Sequence, residues 1–412
     1  MESSSSSSSA WALSVIALLA ALAFFSKLFS FKRDQLKFPP GPKPWSIIGN
    51  INLVGSHPPQ SLHNLAKKYG PIMQLKFGSF PVVVASSAEM AKEFLKTHDH
   101  VLASRPKSAA GKYLSYNHHN ITWAPYGPYW RQGRKIYASE LFNSKRLDSY
   151  QYIRVEEMRA FLSRLCTLSG KPIMLKGHLF HLSLNIISRI VFGKKYASES
   201  KYETPIITVK EFQEMLDELF FLNGMFNIGD WLPWLDFLDS QGYDLIAGGT
   251  DTSATIIEWA MSELVKQPHL IKKATEELDR VIGRERWVEE KDIPQLPYID
   301  AIMKETMRKH PVAGLLAPHS GSSSRVVSNK IKKGTRVFIN TWSIGRDPSI
   351  WDAPEEFQPE RFLGKDIDVK GKNFELLPFG SGRRMCPSYS LGLKVVSSTL
   401  ANMLHGFNQG RS

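Results

Sequence analysis

The sequence predicts a mainly α fold with a minor β part, an α+β body, preceded by one N-terminal transmembrane helix. Three observations predict it. Most of the chain carries apolar residues at three and four spacing, short stretches near Met73 and Val82 alternate with a period of two, and residues 10–31 form one apolar run. With 412 residues, 42% of them hydrophobic, the chain can bury one large core or two ordinary domains, which excludes a disordered or fibrous protein.

The elements follow in order. Residues 1–9 are a serine-rich tail expected to be disordered. From Ala10 to Phe31 the chain reads AWALSVIALLAALAFFSKLFSF, which as a helix is roughly 33 Å long, near the hydrocarbon thickness of a bilayer. Lys27 sits near one end, and Lys32, Arg33 and Lys37 follow, so the basic flank is expected on the cytoplasmic side. A cleaved signal peptide would carry positive charge before the apolar run, where only Glu2 is charged. Residues 32–50 form a hinge, because the prolines of FPPGPKPWSIIGN, Phe38 to Asn50, oppose helix and favour a stiff extended connector. The body, residues 51–412, opens with the strand candidates IMQLKFG and PVVVAS. Helices are predicted around Arg154 to Leu165, Phe180 to Phe192, Glu211 to Phe221, Thr252 to Val265 and Leu270 to Ile282. Toward the end KIKKGTRVFINTWSIG alternates like a strand pair, and NFELLPFGSGRRMCPSYSLG is an irregular glycine-containing loop.

Two cysteines, Cys166 and Cys386, are too few for a disulfide framework or a structural zinc site. The balance of 52 basic against 39 acidic residues gives +13, which favours an acidic partner or anionic lipid. No run of basic and aromatic residues forms a nucleic-acid module, so nucleic acid is not expected.

Chemistry concentrates in four places. Phe379-Gly-Ser-Gly-Arg-Arg-Met-Cys-Pro-Ser388 presents a cysteine just before a helix starting near Leu391, where backbone N–H groups and the positive helix end favour a thiolate able to bind metal. Alone, the loop equally fits a buried structural cysteine in a glycine turn. Lys304-Glu-Thr-Met-Arg308 puts Glu305 and Arg308 on one helical face, and Pro359-Glu-Arg-Phe362 supplies Arg361, so the three can form a buried ion network; a lone E-x-x-R is as often a surface pair. Ala247-Gly-Gly-Thr-Asp-Thr-Ser253 offers Asp251 and Thr252, an acid beside a hydroxyl suited to relaying protons, or else the capping residues of a helix start. Trp130-Arg-Gln-Gly-Arg134 sets an arginine one turn after a tryptophan, fit for a carboxylate or for a cation over an indole.

Together, in this order, these elements resemble the cytochrome P450 superfamily, and with the Pro-rich hinge the resemblance covers nearly the whole chain. Within it the sequence is similar to the plant group containing flavonoid hydroxylases and terpenoid oxidases, including homoterpene-forming synthases. The resemblance implies a monooxygenase with haem b, taking O2 and NADPH-derived electrons from a reductase and acting on a small apolar substrate. It implies Cys386 as the iron ligand, Trp130, Arg134, His319 and Arg384 at the haem propionates, Asp251 and Thr252 as the oxygen-activating pair, and Glu305, Arg308 and Arg361 as a structural triad. It also implies a single-pass protein of the endoplasmic reticulum with a cytoplasmic body, a basic reductase-facing patch including Arg131, Lys135, Lys372, Arg383 and Lys394, and an apolar stretch, Phe212, Leu219, Phe220, Phe221, Leu222 and Met225, near the pocket.

The chain departs from that family between Gly242 and Asp244, where relatives have further helices, and HGFNQGRS stops short of their last hairpin. Ser388 replaces a glycine, with backbone strain expected there if φ is positive, at roughly 1–3 kcal/mol. Lys309 replaces an apolar residue, and Gly314 a common proline. Two readings therefore stand beside the monooxygenase: a catalytically impaired shortened haem protein, and a membrane-tethered interaction protein without haem.

Overall fold

The alternation around Met73 produces the first ordered element of the body. The computed structural model describes residues 39–407 except 114, 196–210, 212, 216–229, 232–250 and 322–333. Strands β1, Ile72–Phe77, and β2, Phe80–Ala85, pair antiparallel in a hairpin. β1 buries every second residue, Met73, Leu75 and Phe77, as a half-exposed strand should. β2 is buried without a break from Val82 to Ala85, because both its faces are covered, Val82 and Val84 in one apolar cluster and Val83 and Ala85 in another, and its second edge is paired as well. There it pairs in parallel with β4, Arg336–Ile339, which in turn holds β3, His319–Ser320, in the order β1-β2-β4-β3.

In the stretch KIKKGTRVFINTWSIG residues 330–333 lie outside the described residues, and the described part holds the strand Arg336–Ile339. After Ile339 the side chain of Asn340 accepts a hydrogen bond from Ser343 N and caps a short helix, Thr341–Ile344, while its amide donates to Pro59 O.

Among the described residues eight longer helices pack with this sheet and one another: α1 Pro58–Tyr69, α2 Pro128–Ile136, α3 Gln151–Thr167, α4 Leu175–Phe192, α5 Asp251–Lys266, α6 Pro268–Val281, α7 Pro297–Lys309 and α8 Tyr389–Gly406. Proline at the start of α1, α2, α6 and α7 fixes a helical φ where no backbone donor is needed. Gly193, at φ 68°, stops α4 in the left-handed conformation. Two apolar clusters knit the helices. One joins Leu162 and Leu165 of α3, Leu182 and Ile186 of α4, Ile257 of α5, Met303 and Met307 of α7, and Val395 of α8. The other joins Leu264, Leu278, Ile302 and Leu400 from α5, α6, α7 and α8. Each such side chain contributes about 1.5–3 kcal/mol by burial. α8 is buried around most of its circumference, and it begins where the cysteine loop ends.

Two unusual residues have local explanations. A Cβ at Gly314 would sit 3.0 Å from Cγ of Pro59, so α1 packs where a larger residue would stand. Lys309 directs its ammonium to Glu263, 3.4 Å away, and His310 Nε2 lies 2.8 Å from the same carboxylate, which explains how a cation is tolerated there.

Residues 39–412 form one contact unit. From Pro39 to Asn50 the hinge segment belongs to this body: Gln74 N donates to Pro40 O, and a Cβ at Gly41 would strike Gln74 O. The predicted tail and anchor, residues 1–31, lie outside the described residues. So does the junction at Gly242–Asp244. Among the described residues no helix is long and apolar enough to cross a membrane.

Candidate functional site

The cysteine loop is shaped by close backbone approaches. Gly382 has φ +69°, and a Cβ there would come within 2.3 Å of Leu95 O. Ser381 donates to Gly371 O at 2.6 Å, and Cys386 N donates to Phe379 O at 2.9 Å, closing the loop on itself. Cys386 is therefore held, half-buried and outside any disulfide, three residues before α8, where the helix end favours an anion. Cys166 is exposed near the end of α3, without such a setting.

Beside the loop stands a basic cluster. Arg384 donates to the carbonyls of Ala103, Ile121 and Ala124, and its guanidinium lies 4.4 Å over the Trp130 ring. Trp130 is buried on α2 and fixed by a 2.9 Å bond from Nε1 to Ile121 O. One turn on, burial lowers the pKa of the half-buried Arg134, while Cys386 nearby opposes that shift. His319 is buried on β3 and bonds Leu102 O through Nδ1 at 3.0 Å; burial, then Arg105, push its pKa down to about 3.

Arg105 was not singled out by sequence reasoning. It donates to the carbonyls of Thr122, Ala317 and Pro318, and burial, then Arg384, lower its pKa to about 9. Burial and then Arg134 lower Arg384 to about 10. These cations depress one another's pKa values, and among the described residues none of Arg105, Arg134, Arg384 and His319 forms an ion pair with a carboxylate. A cluster of half-buried guanidiniums, those of Arg105 and Arg384 held by backbone carbonyls, suits a ligand that brings its own carboxylates. The residues present thus fit a haem: anion-binding groups on one side and a soft anionic ligand, Cys386, at a helix start.

Glu305 lies fully buried between two guanidiniums. Arg308 meets it through Nε and Nη2 at 2.7 and 2.8 Å, Arg361 through Nε at 3.1 Å, and Gln358 N adds a bond at 2.8 Å. Arg308 also donates to Pro354 O and Glu356 O, so α7 is tied to the irregular stretch preceding the cysteine loop.

Asp251 and Thr252 occupy the first turn of α5, both half-buried, with Lys176 Nζ 3.9 Å from the Asp251 carboxylate. Gly248 and Gly249 lie outside the described residues, as do Phe212, Leu219, Phe220, Phe221, Leu222 and Met225. Of the basic residues expected on one patch, Arg131, Lys135 and Lys372 are exposed. Arg383 is paired with Asp99 at 2.7 Å, and Lys394 with Glu290 at 3.0 Å and Asp148 at 3.6 Å.

The fold and this loop define the class of haem-thiolate proteins. Comparison with known proteins agrees. The sequence model of the family Cytochrome P450 matches residues 39–244 and 238–409. The chain is 38% identical to dimethylnonatriene synthase of Zea mays, over 99% of this chain and 91% of that one. It is 36% identical to flavonoid 3'-monooxygenase of Petunia hybrida, over 94% and 88%. A zebra fish cytochrome P450 solved with progesterone superimposes with a TM-score of 0.69 at 25% identity, over 85% of this chain and 92% of the other. The chain belongs to the cytochrome P450 family. It is an oxidoreductase of the haem b monooxygenase kind, which uses O2, needs electrons from a redox partner that draws on NADPH, and acts on a small molecule.

Proposed function

We propose that this chain inserts one oxygen atom of O2 into an apolar plant metabolite of the terpenoid or phenolic class, with electrons from NADPH delivered by a membrane-bound reductase. The observation that carries this reading is the half-buried Cys386 at the foot of α8 beside a basic cluster that holds no carboxylate of its own. The names of the similar plant enzymes, a dimethylnonatriene synthase and a flavonoid 3'-monooxygenase, support the substrate class.

In this reading Cys386 holds the haem iron through its thiolate. Arg105, Arg134 and Arg384 would hold the propionates, joined by His319 once it is protonated, since its Nδ1 already donates to Leu102 O, and the Trp130 ring would keep the Arg384 guanidinium in place. When bound, the thiolate-ligated haem supplies oxygen activation, since thiolate electron density favours O–O cleavage. Asp251 at its carboxylate and Thr252 at Oγ1 would hold and pass the protons that oxygen activation needs. Glu305, Arg308 and Arg361 keep the chain before the cysteine loop in place. Residues 10–31 anchor the protein in the endoplasmic reticulum membrane, residues 32–38 lead into the cytoplasmic body, and lipid is a further contact. Arg131, Lys135 and Lys372 supply the reductase-facing charge, with Arg383 and Lys394 contributing less because carboxylates of the chain already meet them.

The family match and the basic cluster favour this reading over a membrane-tethered protein without haem. A carbon monoxide difference spectrum of the reduced protein tests it. The Soret band of thiolate-ligated haem is expected, lost in Cys386→Ala and kept in Cys166→Ala. The opposite pattern in the two variants refutes the assignment.

A further inference from the structure

The cysteine loop carries serine at position 388, where the family resemblance leads one to expect glycine. The strain expected from that replacement is absent: Ser388 has φ −102° and ψ 16°, open to any residue. What the serine adds is a hydroxyl, and its Oγ lies 3.5 Å from Cys386 Sγ. Ser388 stands at the N-cap of α8, yet its side chain caps no backbone N–H. Among the described residues the sulfur is the hydroxyl's sole hydrogen-bond partner. The Cys386 amide, for its part, is committed to Phe379 O.

We propose that Ser388 is a positioning residue for the iron ligand, its O–H donating to the Cys386 sulfur. The inference rests on Cys386 being that ligand. A metal-bound thiolate has no proton, so of the two atoms only the serine oxygen can be the donor. The bond draws electron density from the sulfur, weakens its push on the iron and favours the reduced metal, the means by which neighbouring hydrogen bonds tune such centres. It also holds the Cys386 side chain toward α8. Glycine at this position can do neither through a side chain, so this chain is expected to be reduced more readily and to bind its iron through a weaker sulfur bond.

The test uses the haem-loaded full chain and its Ser388→Ala, Ser388→Gly and Ser388→Thr variants, with redox titration and the iron–sulfur stretching frequency as readouts. Ala and Gly, which lack the hydroxyl, are expected to shift the oxidised/reduced equilibrium up to about tenfold toward the oxidised form, ~59 mV per tenfold for one electron. Their iron–sulfur stretch is expected to rise, and Thr is expected to stay near the parent. Gly keeps the comparison available if the Ala variant fails to fold. An unchanged potential and stretch in Ala and Gly overturns the proposal, and so does an equal shift in Thr, which makes steric fit the cause. Cys386→Ala is measured alongside: if it keeps the thiolate carbon monoxide band, the ligand assignment itself has failed; if it loses that band while Ala and Gly show no shift, only the role of Ser388 has.

Discussion

Replacing Glu305 by glutamine removes one negative charge from a site closed to solvent. The carboxylate is fully buried and meets Arg308 at 2.7 and 2.8 Å and Arg361 at 3.1 Å. Arg308 cannot relax outward, because it also donates to Pro354 O and Glu356 O. Glutamine has nearly the same shape but presents an amide that donates where both neighbours already donate. Removing one partner of a buried ion pair costs about 3–5 kcal/mol, against a total stability of about 5–15 kcal/mol for a folded domain. With a urea slope near 3 kcal/mol per M, the unfolding midpoint should fall by roughly 1 M or more. Glu276→Gln is the control, since Glu276 meets Lys272 at 3.9 Å on an exposed helix face, and a loss of less than about 0.5 kcal/mol should shift the midpoint by less than about 0.2 M. A Glu305→Gln midpoint no lower than that of the control refutes the reasoning.

Arg105→Met should speed haem loss to an acceptor globin by about tenfold or more, because a buried charge partner of a carboxylate is removed; Arg131→Met, at an exposed position, should leave the rate unchanged. His319 has a folded pKa of about 3, below its unfolded value of 6.5, so the unfolded chain binds more protons in acid and this contribution to stability is lost as pH falls below 6.5. Urea midpoints of the haem-free chain between about pH 6.5 and about pH 4 should therefore drop less steeply in His319→Asn, and equal slopes would count against it. Deleting Met1 to Lys37 should release the protein from washed membranes, read by sedimentation, because residues 10–31 are its longest apolar run. The family match breaks into two segments meeting at residues 238–244, and the alignment with the Zea mays synthase runs over 489 positions against 412 residues here. Inserting the corresponding segment of a relative should raise product formed per NADPH consumed, since a fuller distal wall excludes water; equal coupling in the two forms is the contrary result.

What the sequence shows depends on how local the physical cause is. α5 and α6 were legible within a few residues because their apolar spacing is written in the segment itself. Glu305 and Arg308 share a helix face, so their pairing could be read at three spacing, whereas Arg361 joins them from another element and could be named from the sequence only as a candidate third member. Arg105 was invisible: its partners are carbonyls at 122, 317 and 318, and nothing around Ser104-Arg105-Pro106 marks an anion site beyond the extended backbone that the proline imposes. Of the strand pair expected in KIKKGTRVFINTWSIG, residues 330–333 lie outside the described residues, Arg336–Ile339 is a strand, and beyond it Asn340 accepts from Ser343 N and caps a short helix that the alternation did not announce. Lys394 looked like free surface charge until Glu290 and Asp148, both from other elements, were seen to hold it.

The parallel pairing of β2 with β4 sets an order of events during synthesis. Val82 has Arg336 as its partner, and Ala85 has Ile339, so the hairpin leaves the ribosome with one apolar edge open. At 5–20 residues per second the matching strand follows roughly 12–50 s later. In that interval Val82, Val83 and Val84 present an unpaired edge of the kind that adds foreign strands. Nascent chains of this protein should accordingly depend on a chaperone, or on very dilute synthesis, until the last quarter of the polypeptide has emerged to close the sheet.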